Sequence, residues 1–573
     1  MKILGLHITG DQSSACLFVD GEIKYGAAEE RFNREKRCRK FPDNAINFCM
    51  EQAGLNDLEE VDAIAISWNP AIHMEMINMS GFTSWRRYDP EWLYIAPNNL
   101  TKYFQTSITK NSSAFQWDSS KNNKIYYVNH HLTHLSHAAF QSKFKECAAL
   151  IVDEYGEFAT TTLAHVNDTQ IEILKQCWFP HSLGAFYAMF TEFLGFRANS
   201  DEWKVMGMAA YGDPDAYFKK IIGLVSWDPN NLEVTLDLKY FNHYNMKIGT
   251  YLTPRLESLL GLERRKPADS LDQEYFDLAA AVQKAFEEIV IEILNTLQGI
   301  TKSNNIVLGG GSFMNSALNG KVLERTKFDD IFITYAAADN GGATGAALWV
   351  AHVEKGVKRN YDGYLPPTPY IGPDYSQQEI ETILNACKIQ YEKPDNFIQQ
   401  TVDLLIEGKV VGWFQGALEY GERALGNRSI LADPRRADMK DIINAAVKYR
   451  EYFRPFAPSI LQERASDYFD IPSHISVPYM EQVYMIKEDK RELIPAVTHH
   501  DGSGRLQTVN HTLNPLYHKL ISEFEAKSGV PVLLNTSFNV KGEPIVCSPQ
   551  DAIRTFYSCG LDALVIGECI IYK

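Results

Sequence analysis

The stretch AALIVDEYGEFATTTLAH, residues 148–165, decides how this chain is read. Ala148 to Val152 is an unbroken apolar run of strand length. Asp153-Glu154-Tyr155-Gly156 is an acidic turn, and Phe158 to His165 is a returning strand rich in β-branched residues. The same arrangement opens the chain. Lys2 to Ile8 and Ala15 to Val19 are apolar strands separated by the loop Thr9 to Ser14, which carries Gly, Asp and two Ser. Asp20-Gly21 is a tight-turn signal before Glu22 to Ala28 resumes the ladder. A loop of that composition suits an anion wrapped by backbone N–H groups. Beyond it, Pro42 to Gly54 reads as a helix and Val61 to Trp68 as a strand. Residues 70–120, rich in Trp, Tyr, Met and Asn with weak periodicity, read as an irregular insertion.

Two further strand–loop–helix units follow. Asn304 to Leu308 runs into GGGSFMN, and Ile331 to Thr334 runs into AAADNGGATGAAL. Glycine loops of this kind let a backbone approach a nucleotide closely. The candidate ATP contacts are therefore Gly310, Gly311 and Asn315 in the first loop and Asn340 and Gly341 in the second. Gly341, Gly342, Ala343, Gly345 and Ala346 also form a small-residue face that allows close backbone packing. Two copies of strand, Asp/Gly loop, strand imply an α/β chain of the duplicated actin-like (ASKHA) ATPase type. Each copy then offers a phosphate-facing loop across a central cleft.

Into this frame falls NHHLTHLSHAAF, residues 129–140. His130, His134 and His137 stand at offsets of four and three, along one helical stripe, with His131 turned away. Four of the chain's 15 histidines lie within eight residues, a density that favours a metal site over chance. Asp153 and Asp339 both follow strands aimed at the same cleft. Two imidazoles and two carboxylates (His130, His134, Asp153, Asp339) suit Fe(II), Zn or Mn, with positions left for phosphate or substrate oxygens.

Composition limits what such a site serves. The chain has 573 residues, 45% hydrophobic and 22% charged, enough for two or three domains of a soluble enzyme. A net charge of −16 leaves no electrostatic footprint for DNA or RNA, so an anionic substrate needs a local basic cluster. Nine dispersed cysteines without a C-x-x-C suit reduced thiols in a cytoplasm. Neither a signal peptide nor an apolar run of membrane-spanning length is present in the sequence.

The stretch from Glu29, EERFNREKRCRKFP, reads either as a solvated surface segment or as a basic lip over a phosphate. Lys204, in SDEWKVMGMAAYGDP, is placed to reach a phosphate. Residues 361–374, with four prolines and two glycines, form the linker between residues 1–360 and residues 375–573. The second part opens with helices Ser376 to Ala386 and Asn396 to Glu407 and strand Val410 to Phe414. Arg423, Arg428, Lys448, Arg450, Arg454 and Arg505 then gather basic groups among apolar, Gly and Pro neighbours. Arginine forks bind phosphate and carboxylate bidentately, and Ser537 and Asn539, after strand Val532 to Leu534, add neutral donors.

In order along essentially the whole chain stand EERFNREK, HHLTHLSHAAF, VDEYGE, EWKVMGMAAYG, LGGGSFMN, ADNGGATGAA, YGERALGNRSILADPR, VKYREYFRPFAPSIL and NTSFNVKGEP. With this ordered set the chain resembles the O-carbamoyltransferases of nodulation-factor, cephamycin and tobramycin synthesis (NodU, CmcH and TobZ). The resemblance implies a TsaD-like actin-type domain followed by a YrdC-like α/β domain. The second would use carbamoyl phosphate and ATP, the latter with Mg, to form carbamoyl-adenylate. The first, with its metal (Fe(II) foremost), would pass the carbamoyl group to a hydroxyl of a small specialised metabolite. Carried over, Arg423, Arg428, Lys448, Arg454, Arg505, Ser537 and Asn539 match the carbamoyl-phosphate site, with Lys448 and Arg454 as catalytic groups. His130, His134, Asp153 and Asp339 match the metal ligands, and Lys36 lies in the nucleotide-contacting basic segment. Where the family has His-Asp before the first Ser/Ala pair, this chain has Asp11 and Gln12. Asp11 is then the acceptor-side general base, or orients a cationic acceptor.

The expected partners are carbamoyl phosphate and a hydroxylated acceptor held by residues 70–120 and 225–265, without nucleic acid or membrane; a homodimer is admitted. The competing readings are a tRNA threonylcarbamoyl-type transferase, which the acidic charge disfavours, and a non-catalytic ATP-binding regulatory protein, which the intact tetrad and arginine set disfavour. A sugar kinase leaves the second half without a purpose.

Overall fold

The computed structural model describes residues 1–10, 12–69, 124–245 and 250–573, with Asn99 and the short strands Ile108–Thr109 and Ser112–Ser113. Asp11 and nearly all of the aromatic insertion therefore lie outside the described residues.

Two five-stranded sheets repeat one topology. In the first, β1 (Lys2–His7), β2 (Ser14–Val19) and β3 (Glu22–Ala28) form an antiparallel meander, and β4 (Ala63–Ile66) and β5 (Lys124–Tyr127) add in parallel on the other side of β1, in the order β3-β2-β1-β4-β5. In the second, β6 (Glu146–Gly156), β7 (Ala159–Asn167) and β8 (Gln170–Trp178) form the meander. The parallel additions are β9 (Asn305–Gly309) and β10 (Asp330–Ile333), in the order β8-β7-β6-β9-β10. This is the duplication expected from the recurring strand–loop–strand pattern. The β2–β3 turn carries φ of 49° at Asp20 and 107° at Gly21, the left-handed pair that matches a two-residue hairpin to strand twist. All four residues of β4 are buried, as both faces of a central parallel strand are covered.

The helix pattern holds with ends shifted by a residue or two: α1 is Asp43–Gln52 and α2, the histidine helix, is His130–Gln141. Later come α3 (Glu202–Ala209), the long α4 (Gln273–Thr301) and α5 (Gly342–Trp349). Helices α2 and α5 share one core with both sheets through Leu135, Ala138 and Ala139, Ala343 and Ala346, Ala63 and Ala65, and Ile151 and Val307. The small-residue face does what its composition implies. A Cβ at Gly345 would stand 1.9 Å from the Thr133 carbonyl oxygen, and one at Gly5 would stand 2.1 Å from that of Ala343.

The C-terminal part is one mixed eight-stranded sheet. Its strands are β11 (Val411–Phe414), β12 (Arg428–Ala432), β13 (Ala457–Leu461), β14 (Gln482–Met485), β15 (Ser503–Val509), β16 (Val532–Ser537), β17 (Ala563–Ile566) and β18 (Cys569–Tyr572). They lie in the order β14-β15-β13-β16-β12-β11-β17-β18. Helices α6 (Gln377–Ala386) and α7 (Phe397–Ile406) begin at the side-chain caps Ser376 and Asn396 and pack on its apolar core of Trp413, Ile430, Leu533 and Val565.

The Pro-rich segment 361–374 is a packed strap. Gly26 N–H of β3 donates to Ile371 O at 2.9 Å, and the hydroxyls of Tyr361 and Tyr364 bond to Asp168 and to the Gln141 carbonyl. Nor is the basic segment a free lip. Arg31 donates to Gly421 O at 2.6 Å and Arg34 to Ile545 O and Pro544 O at 2.6 and 2.7 Å, so these two arginines clasp the C-terminal part. Among the described residues, no helix is long and apolar enough to cross a membrane.

Candidate active site

Val128 and Asn129 carry the chain from β5 into α2, and His130 N–H donates to both oxygens of Glu157 at 3.1 Å. A carboxylate at a helix N-terminus satisfies otherwise orphaned donors and the helix dipole. So anchored, α2 points His130 and His134 at the ends of β6 and β10. His130 Nε2 and His134 Nε2 both lie 3.2 Å from Asp153 Oδ2, and 3.5 and 3.8 Å from Asp339 Oδ1. The two imidazole nitrogens face each other at 3.0 Å. One atom from each of the four residues falls within a 4.8 Å set. Burial alone would raise the Asp153 pKa, yet hydrogen bonds from His130 and His134 hold it well below the usual carboxylate range. Burial would likewise lower His130, but Asp153 and Asp339 hold it well above an ordinary histidine. Four converging N and O donors, two of them carboxylates, fit a divalent ion.

Glycines bring both loops against the carboxylates. A Cβ at Gly311 would lie 3.0 Å from Asp153 Oδ1, and one at Gly10 would lie 3.3 Å from Asp339 Oδ2. Sequence reasoning missed His7, at the end of β1, whose Nε2 stands 3.9 Å from Asp339 Oδ2 and whose Nδ1 meets Ser67 Oγ at 2.7 Å. The only signal available for it was a histidine closing a strand that leads to the cleft loop. His137 keeps to the stripe but does not join the four. Its Nδ1 lies 3.3 Å from Thr334 Oγ1, its ring packs on Tyr335, and burial pushes its pKa down to about 3. His131 is turned away, against Thr162 Oγ1 at 2.9 Å.

The second cluster forms in the C-terminal part. Burial, then Arg423, Arg450 and Arg454, push Arg505 well below the usual arginine value, and among the described residues its guanidinium, unlike the backbone that pairs with Val483, has no hydrogen-bond or ion-pair partner. Burial and Arg454 bring Arg450 to about 9. Lys448 is 5% exposed, and burial, then Arg450, Arg454 and Lys36, set it well below an ordinary lysine. Its ammonium donates to Asn539 Oδ1 at 2.8 Å, Asn539 O at 2.9 Å and Ser537 Oγ at 3.3 Å. Glu451 lies 3.4 Å from Arg454 and 3.3 Å from Lys204, while Glu422 and Glu481 act on Arg423.

Several sequence expectations change here. Arg428 leaves the set: it is fully buried over the Phe414 ring at 3.6 Å, and its guanidinium donates to the carbonyls of Gln415, Asn427 and Pro373. Ser537 Oγ donates to Asn539 Oδ1 at 2.7 Å and the Asn539 amide donates to Glu543 O at 2.7 Å, so both orient Lys448 rather than stand free. Lys204 is committed to Asp201 and Glu451, not presented to a phosphate. Asn315 caps the turn at Leu318 and bonds to Gln283. The Asn340 carbonyl accepts from Ser14 Oγ and Tyr420 OH, and Gly341 lets the backbone pass Ala336 O. Gly310, with φ of 96°, takes a turn that a Cβ, 2.4 Å from Val152 O, would forbid. Lys36 is exposed, and loss of hydration lowers its pKa against the opposing charge of Glu30, with Arg31, Arg454 and Arg37 adding to the fall. Trp203 and Glu451 were not singled out within the stretches EWKVMGMAAYG and VKYREYFRPFAPSIL, and only the fold sets Trp203 beside Arg454.

Residues 2–348 match the family description Carbamoyltransferase N-terminus, and residues 402–573 match Carbamoyltransferase C-terminus. An uncharacterised protein of Synechocystis is 36% identical over 608 aligned positions, covering 100% of this chain and 96% of that protein. Nodulation protein NolNO of Sinorhizobium fredii is 37% identical, covering 98% of this chain and 78% of its own length. Nodulation protein NolO of Bradyrhizobium diazoefficiens is 40% identical, covering 78% and 79%. With both halves matched in order, the chain belongs to the carbamoyltransferase family.

Proposed function

We propose that this carbamoyltransferase moves the carbamoyl group of carbamoyl phosphate, through carbamoyl-adenylate made with ATP and Mg, to a hydroxyl of a small metabolite. The carrying observation is the cluster of Arg423, Arg450, Arg454, Arg505, Lys448 and Lys36. Burial and neighbouring cations lower the pKa values of Lys36, Lys448, Arg450 and Arg505, and Glu451 stands 3.4 Å from Arg454. So much like charge gathered at partial burial costs stability unless polyanions neutralise it.

Water divides carbamoyl phosphate into carbamate and phosphate. A carbamate oxygen attacks the α-phosphorus of ATP and pyrophosphate leaves. The acceptor hydroxyl then attacks the carbamoyl carbon, its proton passes to a base, and AMP leaves. Arg423, Arg454 and Arg505 would hold the phosphate groups and reduce their mutual repulsion, with Lys448 locked beside them by Asn539 and Ser537. Asp11 is assigned as the base. His130, His134, Asp153 and Asp339 would hold a divalent ion, Fe(II) first and Zn or Mn next, which when bound supplies positive charge for a departing phosphate.

The test is AMP and pyrophosphate release from ATP with and without carbamoyl phosphate. Carbamoyl-phosphate-dependent AMP that is lost in Arg454→Ala upholds the reading. No such AMP, together with no ATP binding by calorimetry, overturns it.

A further inference from the structure

Arg454 is the cation most widely felt in the cluster: after burial, it helps to lower the pKa of Lys36, Lys448, Arg450 and Arg505. Repulsion of that kind would drive a long side chain out to water. Its guanidinium carbon lies instead 3.7 Å from the centroid of the Trp203 ring. Trp203 belongs to the first turn of α3, in the other half of the chain, and its indole N–H donates to Ser200 O at 3.0 Å, which fixes the ring. The adjacent Lys204 reaches across the same seam to Glu451, three residues before Arg454. One helical turn therefore holds both the cation and its carboxylate neighbour.

We propose that Trp203 is a positioning residue for recognition of the phosphate of an acyl phosphate, acting through Arg454; this rests on the function proposed above. The π-face attracts the cation and offsets repulsion from its neighbours. Stacking engages the flat side of the guanidinium and leaves its in-plane N–H groups for a tetrahedral anion. With its torsions already restrained, Arg454 loses less freedom when the anion arrives. The anion affinity of the C-terminal pocket thus depends on a side chain of the N-terminal part.

The experiment uses the full chain and the variants Trp203→Leu and Trp203→Phe. Inorganic phosphate binding is measured by calorimetry, and KM and kcat for carbamoyl phosphate are measured from AMP formation. Trp203 is 37% exposed, so Trp203→Leu should melt near the wild type. It should weaken phosphate binding and raise KM for carbamoyl phosphate about threefold to thirtyfold, with kcat within about twofold. KM for ATP should stay unchanged, and Trp203→Phe should recover most of the loss. Unchanged phosphate affinity in Trp203→Leu, a fall in kcat alone, or Trp203→Phe no better than Trp203→Leu overturns the proposal. Wild-type protein that binds phosphate but makes no carbamoyl-phosphate-dependent AMP refutes the proposed reaction. The phosphate titrations of the two variants then decide the role of Trp203 by themselves.

Discussion

Gly345→Ala should pull the proposed His/Asp metal tetrad apart without touching any of its members. Gly345 faces Thr133 where α5 crosses α2, and an added Cβ would stand 1.9 Å from the Thr133 carbonyl oxygen, a backbone atom that cannot rotate away. Contacts under 3.0 Å are essentially never seen for real Cβ atoms, so the two helices must separate by about 1 Å. Helix α2 carries His130 and His134, whereas Asp339 sits in the turn just ahead of α5. A relative shift of about 1 Å is several times the ~0.2 Å tolerance of metal–ligand distances. Affinity for a divalent ion should therefore fall about tenfold to a hundredfold, and overpacking should cost about 1–3 kcal/mol of stability. Equilibrium dialysis with Fe(II), Zn and Mn, read by elemental analysis beside thermal melts, checks both. Gly299→Ala, in α4 with nothing within 4 Å of the new Cβ, is the control and should be neutral or gain about 0.5–1 kcal/mol. Wild-type metal affinity and melting temperature in Gly345→Ala would refute the reasoning, because the helices would then not be in fixed contact.

Arg505→Met should weaken phosphate binding yet raise the ligand-free melting temperature, since it removes a cation that burial and three arginines already disfavour; a lower melting temperature refutes this. His137 keeps a folded-state pKa of about 3 against about 6.5 when unfolded, so below pH 6.5 the unfolded chain takes up the proton first and stability falls with pH. That group should cost about 2 kcal/mol by pH 5, and denaturation midpoints at pH 7.5 and 5 should converge more closely in His137→Gln than in the wild type. Parallel pH dependence in the two proteins would exclude it. A divalent ion at 100 times its Kd should stabilise the wild type by about 2.7 kcal/mol, reversibly with chelator, and Asp153→Asn should abolish the gain; equal gains in both place the ion elsewhere. Asp11→Asn should lose carbamoyl transfer to the acceptor while keeping carbamoyl-phosphate-dependent AMP formation, measured by the same nucleotide assay.

Local sequence carried the duplicated α/β architecture, because an apolar run, an Asp/Gly turn and a β-branched return are each decided by neighbours a few residues away. Asp20-Gly21 needs only its own φ values to make a hairpin, and Ser376 and Asn396 need only the next turn to cap a helix. The tetrad was legible for a related reason. His130 and His134 are one helical turn apart, Asp153 stands near the end of β6, and Asp339 opens the turn that follows β10, so all four converge. What tertiary structure alone decided is which charges remain available. Arg428 reads like its neighbours in sequence but is consumed by three carbonyls, and Lys204 is consumed by two carboxylates. Arg505 keeps its donors because other arginines surround it. Trp203 meets Arg454 from a segment about 250 positions earlier. A side chain's free hydrogen-bonding capacity depends on every group within a few ångströms, and for these residues those groups come from remote parts of the chain.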